Sequence, residues 1–195
     1  MATIYNFETQ PANITDPNRI IIIGDVHGDS ERLLKLLTTL KIFSNSLEWI
    51  AEPKDTIVIQ LGDQVDSLSR RIDGDPNKAN WEIYPDVDIL ELMDKLDNIA
   101  RDASNGKGRV LSLIGNHEIM NTQNIFNYVS ENSMIKSGGP AVRAQLFSPG
   151  NKYAQILAKR NIVTKIGPFL FCHGGLLPQH LDCVYNNFET INRCM

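Results

Sequence analysis

Four short cassettes of polar and glycine residues, each placed directly after an apolar run, constrain the fold of this chain most. In chain order they are Gly24-Asp25-Val26-His27-Gly28, Gly62-Asp63-Gln64-Val65-Asp66, Gly115-Asn116-His117-Glu118 and His173-Gly174-Gly175. Each apolar run predicts a buried strand, and in open α/β sheets ligands bind just beyond the carboxyl ends of the strands. We therefore expect an α/β fold that brings the four cassettes together at one site.

Five apolar stretches predict strands. Residues 19–24 are β-branched, too short for a helix and bounded by glycine, which is typical of a central parallel strand. Residues 56–61 and 109–114 repeat this signal, so the first two strands and the helix between them are expected to form a βαβ unit. Residues 162–166 and 169–172 are joined by a Gly-Pro pair and predict a hairpin that leads to the fourth cassette.

Helical periodicity separates the predicted strands. Ser30 is the expected N-cap of a helix whose buried face carries the leucines of residues 33–40. Residues 89–103 carry apolar side chains three and four positions apart, and the helix that they predict ends at an Asn-Gly pair. Residues 153–160 are also expected to be helical, whereas residues 121–150 predict loops with one or two short helices.

The composition favours one globular domain spanning residues 1–195, with its core from about residue 19. The formal net charge of -4 gives no indication of nucleic-acid binding. No apolar run approaches the roughly 20 residues that span a bilayer, and residues 1–20 lack the pattern of a signal peptide. Three cysteines without a CxxC pair favour a reducing compartment. We expect a soluble, cytoplasmic or virion-interior protein that binds neither nucleic acid nor a membrane.

The cassettes carry the donors of a two-metal site. Carboxylate and amide oxygens suit hard cations and imidazole suits transition metals, so Mn²⁺, Fe and Zn²⁺ are all compatible with the set. Asp63 is the expected bridging carboxylate, with Asp25 and His27 on one ion, and Asn116 and His173 on the other. A hydroxide held between two such ions is a nucleophile at neutral pH, and the ions neutralise the phosphoryl oxygens during attack.

His117 is the expected general acid, because it follows a predicted metal ligand and is itself free of metal in this scheme. Its ring donates a proton to the leaving alcohol, while Asp66 accepts a hydrogen bond from the other ring nitrogen and fixes the orientation of the ring. Glu118 is expected to support the site without binding a metal ion.

Simpler interpretations compete with this one. A Gly-Asp pair after a strand is a common turn, and a single histidine is more often structural than a metal ligand, so one cassette by itself indicates little. Four cassettes after four predicted strands favour a catalytic site. Outside the cassettes, His180 is expected at the surface, Cys172 is expected to be a small buried side chain, and Trp81 either lines the cleft or packs against the core.

The motif order GDxHG, GDxxD, GNHE and HGG resembles that of the calcineurin-like metallophosphoesterase superfamily, within its phosphoprotein phosphatase branch. The chain is similar over residues 20–193, and most similar to the Shewanella-like (bacterial-like) protein phosphatases at residues 115–121, 148–150 and 173–178. The resemblance implies an α/β metallophosphoesterase fold, the αββα sandwich. It also implies the site roles already assigned, with Asp63 shared by both metals and His117 as the acid in front of Asp66.

The chain departs from the family pattern in two places. The family motif GDxxDRG has an arginine where this chain has Ser67, and that arginine is expected to grip the substrate phosphate. Arg70, Arg71 and Arg143 are the candidates to replace it. The family also has a further phosphate-binding arginine and a last metal-ligand histidine beyond the point where this sequence stops. The C-terminal part of the fold is therefore expected to be missing and the second metal site to be weaker.

The resemblance implies hydrolysis of phosphomonoesters, either phosphoserine, phosphothreonine or phosphotyrosine in proteins or small phosphoesters. Two alternatives remain open. The same ions support hydrolysis of nucleotides and other phosphodiesters, and a weak or silent module would bind phosphate or a partner without turnover. Residues 67–85 and 121–150 are expected to shape specificity, because long loops beside a site are usually functional.

Overall fold

The computed structural model describes residues 8–67, 85–182 and 190–192. The strands are β1 (Asn13–Ile14), β2 (Ile20–Ile23), β3 (Ile57–Gln60), β4 (Arg109–Ser112), β5 (Val163–Ile166) and β6 (Phe169–Cys172). The helices are α1 (Ser30–Thr39), α2 (Asp88–Ser104), α3 (Asn116–Thr122), α4 (Glu131–Lys136), α5 (Pro140–Phe147), α6 (Lys152–Leu157) and α7 (Pro178–Asp182). This order has the mixed α/β character that the sequence predicted.

Strands β2, β3 and β4 form a parallel sheet in that order. Val58 and Val110 pack with the helices, whereas Ile57 and Leu111 pack toward the second sheet. In β3 and β4 both faces are covered, which is why these strands are continuous apolar runs, whereas Ile22 of β2 is 57% exposed. The prediction that residues 19–24 form the central strand is wrong for the described part of the chain, where β3 is central. An apolar run indicates that both faces of a strand are apolar, but it does not indicate whether the strand has neighbours on both sides.

Helices α1, α2 and α6 cover one face of the parallel sheet. Leu33 and Leu37 of α1 are buried there, as the periodicity predicted, and each contributes roughly 1.5–3 kcal/mol of burial free energy. The cap of α1 is Asp29, whose carboxylate accepts a 2.9 Å hydrogen bond from the backbone N–H of Arg32. The expected cap, Ser30, is instead the first helical residue, because Asp and Ser are nearly equal caps and preference alone does not choose between neighbours.

Strands β1, β5 and β6 form a second sheet, in which β1 is parallel to β5 and β5 is antiparallel to β6. The predicted hairpin is confirmed. The core between the two sheets is formed by six buried apolar side chains, Ile57, Ile59, Leu111, Leu113, Ile166 and Phe171. The described residues thus contribute a helical layer and two sheets to the αββα sandwich.

The cassettes follow strands of both sheets. Asp25, Asp63 and Asn116 come after β2, β3 and β4 of the parallel sheet, whereas His173 comes after β6 of the second sheet. The sequence predicted that the four cassettes converge at one site, and the resemblance implied a fold with two sheets. Two packed sheets bring them to the same place, because the end of β6 lies beside the carboxyl ends of the parallel strands.

The remaining sequence predictions concern loops and single residues. Helices α4 and α5 account for the short helices expected within residues 121–150. His180 is exposed as expected, whereas Cys172 is half-buried and not fully buried. Trp81 lies outside the described residues. Within the described part of the chain, no helix is both long enough and apolar enough to cross a membrane.

Candidate metal centre and catalytic pair

The four cassettes meet around Asp63. The backbone N–H groups of Val26 and His27 both donate to the carbonyl oxygen of Asp63, at 3.0 and 3.1 Å. The backbone N–H of His117 donates to Oδ1 of Asp63 at 3.0 Å, and Nε2 of His173 lies 3.2 Å from Oδ2. The expected convergence is present, with the carboxylate of Asp63 at its centre.

Three site residues have a left-handed backbone. The angle φ is 48° at His27, 54° at Asp63 and 68° at Asp66. A residue with a Cβ adopts this conformation at a cost of roughly 1 kcal/mol or more, and only where its surroundings hold it there. Strain of this kind is concentrated at active sites, where it preorganises the side chains. Five other described non-glycine residues, outside the cassettes, also have a positive φ, so the left-handed turns agree with a functional site but do not identify one.

Glu118 fixes the turn that carries Asp63. Its buried carboxylate accepts backbone N–H hydrogen bonds from Asp63 (2.9 Å), Gln64 (2.7 Å), Val65 (3.3 Å) and Gly115 (2.7 Å). Bonds to an ionised acceptor are stronger than bonds between neutral groups. Glu118 thus joins the second cassette to the third and lies behind the site, where the sequence interpretation placed a supporting group.

His27 and His173 are oriented through their Nδ1 atoms. Nδ1 of His27 lies 3.0 Å from the carbonyl oxygen of Val65, and Nδ1 of His173 lies 2.9 Å from that of Leu61. A carbonyl oxygen only accepts, so Nδ1 carries the proton in both rings and a neutral ring keeps a free lone pair on Nε2. A backbone carbonyl at the second nitrogen is the usual arrangement around a metal-binding histidine.

Nε2 of His173 faces two oxygen atoms. It lies 3.0 Å from Oδ1 of Asn116 and 3.2 Å from Oδ2 of Asp63. With the ring proton on Nδ1, a neutral imidazole turns its lone pair toward both oxygens, and a cation among the three atoms removes the repulsion. Separations near 3 Å are those of ligands that share one ion at bond lengths of about 2.0–2.2 Å. The donors therefore fit a divalent metal ion.

Two groups of three donors share Asp63. Asp25, Asp63 and His173 offer ligand atoms that all lie within 4.8 Å of one another, and so do His27, Asp63 and His117. A carboxylate common to both groups agrees with a bridging role. The two groups place Asp25 with His173, whereas the sequence predicted Asp25 and His27 on one ion. Asp25 is also close to His27, with its Oδ2 atom 3.7 Å from Nε2.

His117 and Asp66 form a buried pair. Nδ1 of His117 lies 2.8 Å from Oδ2 of Asp66, and neither side chain is more than 6% exposed. Burial raises the pKa of Asp66, whereas hydrogen bonds from Asn121 and His117 and the charge of Arg143 act in the opposite direction. The second ring nitrogen, Nε2, lies 3.8 Å from Oδ2 of Asp63. This geometry suits a proton donor that is oriented by a carboxylate and lies beside the candidate metal site.

Arg143 lies behind the His117–Asp66 pair, which corrects the expectation that it grips the substrate phosphate. Its side chain is fully buried, and its five N–H groups make five hydrogen bonds, with Asn121, Ser137, Asp66 and both oxygens of Asp86. A guanidinium whose donors are all used by buried acceptors cannot turn toward a ligand without leaving charges unpaired. The other two candidates, Arg70 and Arg71, lie outside the described residues.

Ser67 stands where the family motif has arginine, and its side chain is directed into the protein. Its hydroxyl lies 3.1 Å from Oγ of Ser130 and 3.3 Å from Oγ of Ser133, and the residue is 3% exposed. Ser130 caps α4 and Ser133 lies within it. This position therefore connects the second cassette to α4.

The sequence interpretation missed two residues of this site. Asp86 accepts a 2.7 Å hydrogen bond from the backbone N–H of Asp66, and Asn121 donates to Oδ1 of Asp66 at 2.8 Å. Asn121 lies four positions after His117, and this spacing on a helix indicates a shared face. Asp86 follows a long polar stretch of sequence, and no local pattern distinguishes it from the other acidic residues.

Comparison of the sequence with known proteins finds relatives among phosphatases. The profile of the family described as calcineurin-like phosphoesterase matches residues 18–192. Shewanella-like protein phosphatase 2 of Arabidopsis thaliana is 24% identical over 209 residues, with 85% of this chain and 48% of the relative covered. Shewanella-like protein phosphatase 1 of Plasmodium berghei is 30% identical over 167 residues, with 84% of this chain and 41% of the relative covered.

A similar fold is present among solved structures. The crystal structure of a cold-active protein-tyrosine phosphatase of a psychrophilic Shewanella species matches with a TM-score of 0.75 and 25% sequence identity. The match covers 96% of this chain and 50% of that chain. The chain thus spans about half the length of the relatives that it matches.

Proposed function

Because this chain belongs to the calcineurin-like phosphoesterase family, we propose that it hydrolyses phosphomonoesters at the site formed by its four cassettes. One observation carries the proposal. The imidazoles of His27 and His173 present Nε2 lone pairs beside the carboxylate of Asp63, and the buried His117–Asp66 pair adjoins the same carboxylate. Donors for divalent cations and a donor of a proton are therefore gathered in one cluster.

Asp25, His27, Asp63, Asn116 and His173 hold two divalent ions in this proposal, with Mn, Fe and Zn all compatible with the donors. Bound ions of this kind polarise phosphoryl oxygens and lower the pKa of a coordinated water. The chain contributes the orientation of the donors. Hydrogen bonds from Nδ1 to backbone carbonyls hold both imidazole rings in place, so the site needs little rearrangement to bind its ions.

His117 donates the proton to the leaving oxygen in this proposal. Its Nδ1 is bound to Asp66, which leaves Nε2 directed toward the centre. Tyr128 is 47% exposed and lies edge-on to the ring of His117, with the centroids 5.1 Å apart. Its ring therefore borders His117 at the protein surface. A positioned general acid contributes about 10²- to 10⁴-fold to the rate when the leaving group is a poor one.

Phosphorylated proteins are the proposed substrate class, with small aryl phosphates as model substrates. The names of the relatives support this choice, since two are Shewanella-like protein phosphatases and the structural neighbour is a protein-tyrosine phosphatase. Phosphodiesters and dinucleotide polyphosphates are the competing substrates, because the same ions support their hydrolysis.

A weak or silent binding module is the second candidate function. It is favoured by Ser67, which leaves the family's phosphate-binding arginine position without a positive charge. The His117–Asp66 pair is evidence against a binding module, since a module that only binds phosphate needs no proton donor.

The test is Mn²⁺-dependent hydrolysis of an aryl phosphate by the purified 195-residue chain. Asp63→Asn and His117→Asn are measured beside it, with His180→Asn as the matched control because His180 is an exposed histidine outside the cassettes. A phosphopeptide and a dinucleotide polyphosphate are then compared as substrates. Binding of Mn²⁺ is measured separately by calorimetry for all four proteins.

We expect activity in the parent chain and in the His180→Asn control. We expect no activity in Asp63→Asn and His117→Asn. Calorimetry that shows bound Mn²⁺ together with no turnover of any substrate favours the binding module instead. Preferential turnover of the dinucleotide polyphosphate indicates a nucleotide hydrolase that cleaves phosphoanhydride bonds, and not a phosphomonoesterase.

A further inference from the structure

We propose that Asp86 and Arg143 are positioning residues, which lock the side chain of Asp66 so that His117 presents its proton to the leaving group. This inference rests on the proposed function and deepens it. Neither residue touches the metal donors or the expected position of the substrate. Both act through Asp66, and the residues that carry the inference all lie in the described part of the chain.

Arg143 holds one oxygen of Asp66. Nη2 of Arg143 lies 3.1 Å from Oδ1 of Asp66, and Nδ2 of Asn121 donates to the same oxygen at 2.8 Å. The other oxygen, Oδ2, is left to accept the hydrogen bond from Nδ1 of His117 at 2.8 Å. With one carboxylate oxygen held by two donors, the plane of the carboxylate is set, and the ring of His117 can make its hydrogen bond in one orientation.

Asp86 holds the backbone of Asp66. The N–H of Asp66 donates to Oδ2 of Asp86 at 2.7 Å, at a residue whose φ of 68° is in the left-handed region. Both oxygens of Asp86 also accept from Arg143, at 2.7 and 2.9 Å. The bidentate pair fixes the two charged groups relative to each other. The backbone and the side chain of Asp66 are thus held by one connected network.

The network also reaches the first cassette. A Cβ placed on Gly28 would lie 2.7 Å from Cβ of Asp86, so Asp86 packs directly against the glycine that follows His27. Asn121 is part of the same network, because its Oδ1 accepts a 2.7 Å hydrogen bond from Nε of Arg143. A shift of Asp86 or Arg143 would therefore be transmitted to the orientation of the proton donor.

A positioning role predicts an unequal effect on different leaving groups. A proton donor matters for an alcohol, which leaves poorly, and matters little for an acidic phenol, which leaves as its anion. A merely structural role lowers the rate for both substrates alike. The ratio of the two rates separates the roles, and the stability of the variant does not affect that ratio among folded molecules.

The experiment compares phosphoserine peptide with dinitrophenyl phosphate as substrates for Arg143→Lys, which keeps the charge and loses the fork of donors. The expected result is a kcat about 100-fold lower for the peptide and less than about threefold lower for the aryl phosphate. KM for both substrates and the affinity for Mn²⁺ are expected to stay unchanged. The matched control is Arg109→Lys, because Arg109 makes a similar pair with Asp97, at 2.9 and 2.8 Å, away from the site.

Asn121→Ser is the second variant, and it keeps the test possible if Arg143→Lys does not fold. It removes one hydrogen bond to Asp66 without removing a charge, so it is expected to give the same pattern with a smaller ratio. Equal loss on both substrates, or no loss, in a folded variant overturns the positioning role alone. A parent chain that hydrolyses neither substrate overturns the proposed function, and the positioning role falls with it.

Discussion

The backbone N–H of Asp63 donates a 2.9 Å hydrogen bond to the carboxylate of Glu118, which joins the second cassette to the third across 55 residues of sequence. The same carboxylate accepts from three further backbone N–H groups, at Gln64, Val65 and Gly115. Four donors converge on one buried anion, so the turn that presents Asp63 has its backbone polar groups satisfied even though it lies inside the protein.

Glu118→Gln is expected to lower the free energy of unfolding by about 2–4 kcal/mol, because a neutral amide offers one acceptor oxygen and turns an NH₂ group toward N–H donors. Urea unfolding measures the loss. The control is Glu31→Gln, since Glu31 is exposed in the first turn of α1 and is expected to contribute less than about 0.5 kcal/mol. Equal losses in the two variants would contradict the assigned role of Glu118.

Gly115→Ala is expected to disturb both stability and metal binding. A Cβ at this position would lie 2.2 Å from Oδ1 and 2.5 Å from the backbone nitrogen of Asp63, so the second and third cassettes must move apart. Forcing atoms into a packed site costs about 1–3 kcal/mol, and here it also displaces the expected bridging carboxylate.

The control for this substitution is Gly174→Ala, because an added Cβ at Gly174 meets nothing within 4 Å. Thermal unfolding and Mn²⁺ calorimetry are measured on both variants. Mn²⁺ affinity in Gly115→Ala equal to that of the control would show that the close approach at Gly115 is not needed for the site.

Local patterns were sufficient for five of the six described strands, for the long helix α2 and for the position of the site, whereas β1 was not predicted. The strands β2, β3, β4 and β6 are short apolar runs that each lead directly to a cassette, so their ends could be located to within a residue or two. The family resemblance and the α/β fold read from these cassettes are confirmed. The bridging position of Asp63 agrees with its place at the centre of the two donor groups.

Long-range pairs could not be predicted in the same way. Arg143 and Asp86 are 57 positions apart, and nothing near either residue indicates the other. Arg143 was therefore one of the candidates for binding the substrate phosphate, whereas its ion pairs with Asp66 and Asp86 balance its charge within the protein. The edge position of β2 among the described strands was missed for a similar reason, since strand order depends on contacts between segments and not on the composition of one segment.

The ion pair of Lys152 and Glu91 links α6 to α2 and is expected to contribute little. Its atoms are 2.7 Å apart, but the side chains are 46% and 49% exposed, so the contribution is about 0.2–1 kcal/mol. The hydrogen bond to Glu91 raises the pKa of Lys152 above 10.5. A raised pKa in the folded state means that the stabilisation is present below about pH 10 and is lost as the pH rises through the folded-state pKa.

Lys152→Met is therefore expected to be slightly less stable than the parent chain at pH 8 and equally stable above the pKa of Lys152. Urea unfolding at both pH values measures the difference. Lys35→Met, at an exposed lysine of α1, serves as the control for loss of a surface charge. A decrease of more than about 2 kcal/mol in the free energy of unfolding at pH 8 would show that the pair contributes more stability than an exposed ion pair does.

Divalent cations are expected to stabilise the folded chain. Asp25 and Asp63 bring two carboxylates close to the ring of His173, with Oδ1 of Asp25 4.0 Å from Nδ1 and Oδ2 of Asp63 3.2 Å from Nε2. The mutual repulsion of the two carboxylates falls when a cation binds among these groups. A ligand that binds only the folded state at about 100 times its Kd adds about 2.7 kcal/mol to the free energy of unfolding. Urea unfolding in Mn²⁺ and in a chelator measures this increment, which does not depend on turnover.

Asp63→Asn is expected to lose most of the Mn²⁺ increment, because the residue shared by both donor groups then lacks its charge. The variant should be at least as stable as the parent chain in the chelator, since one of the two neighbouring negative charges is gone. His180→Asn is expected to keep the full increment. An increment of equal size in all three proteins would place the bound cation elsewhere, and the four cassettes would no longer be supported as the metal centre.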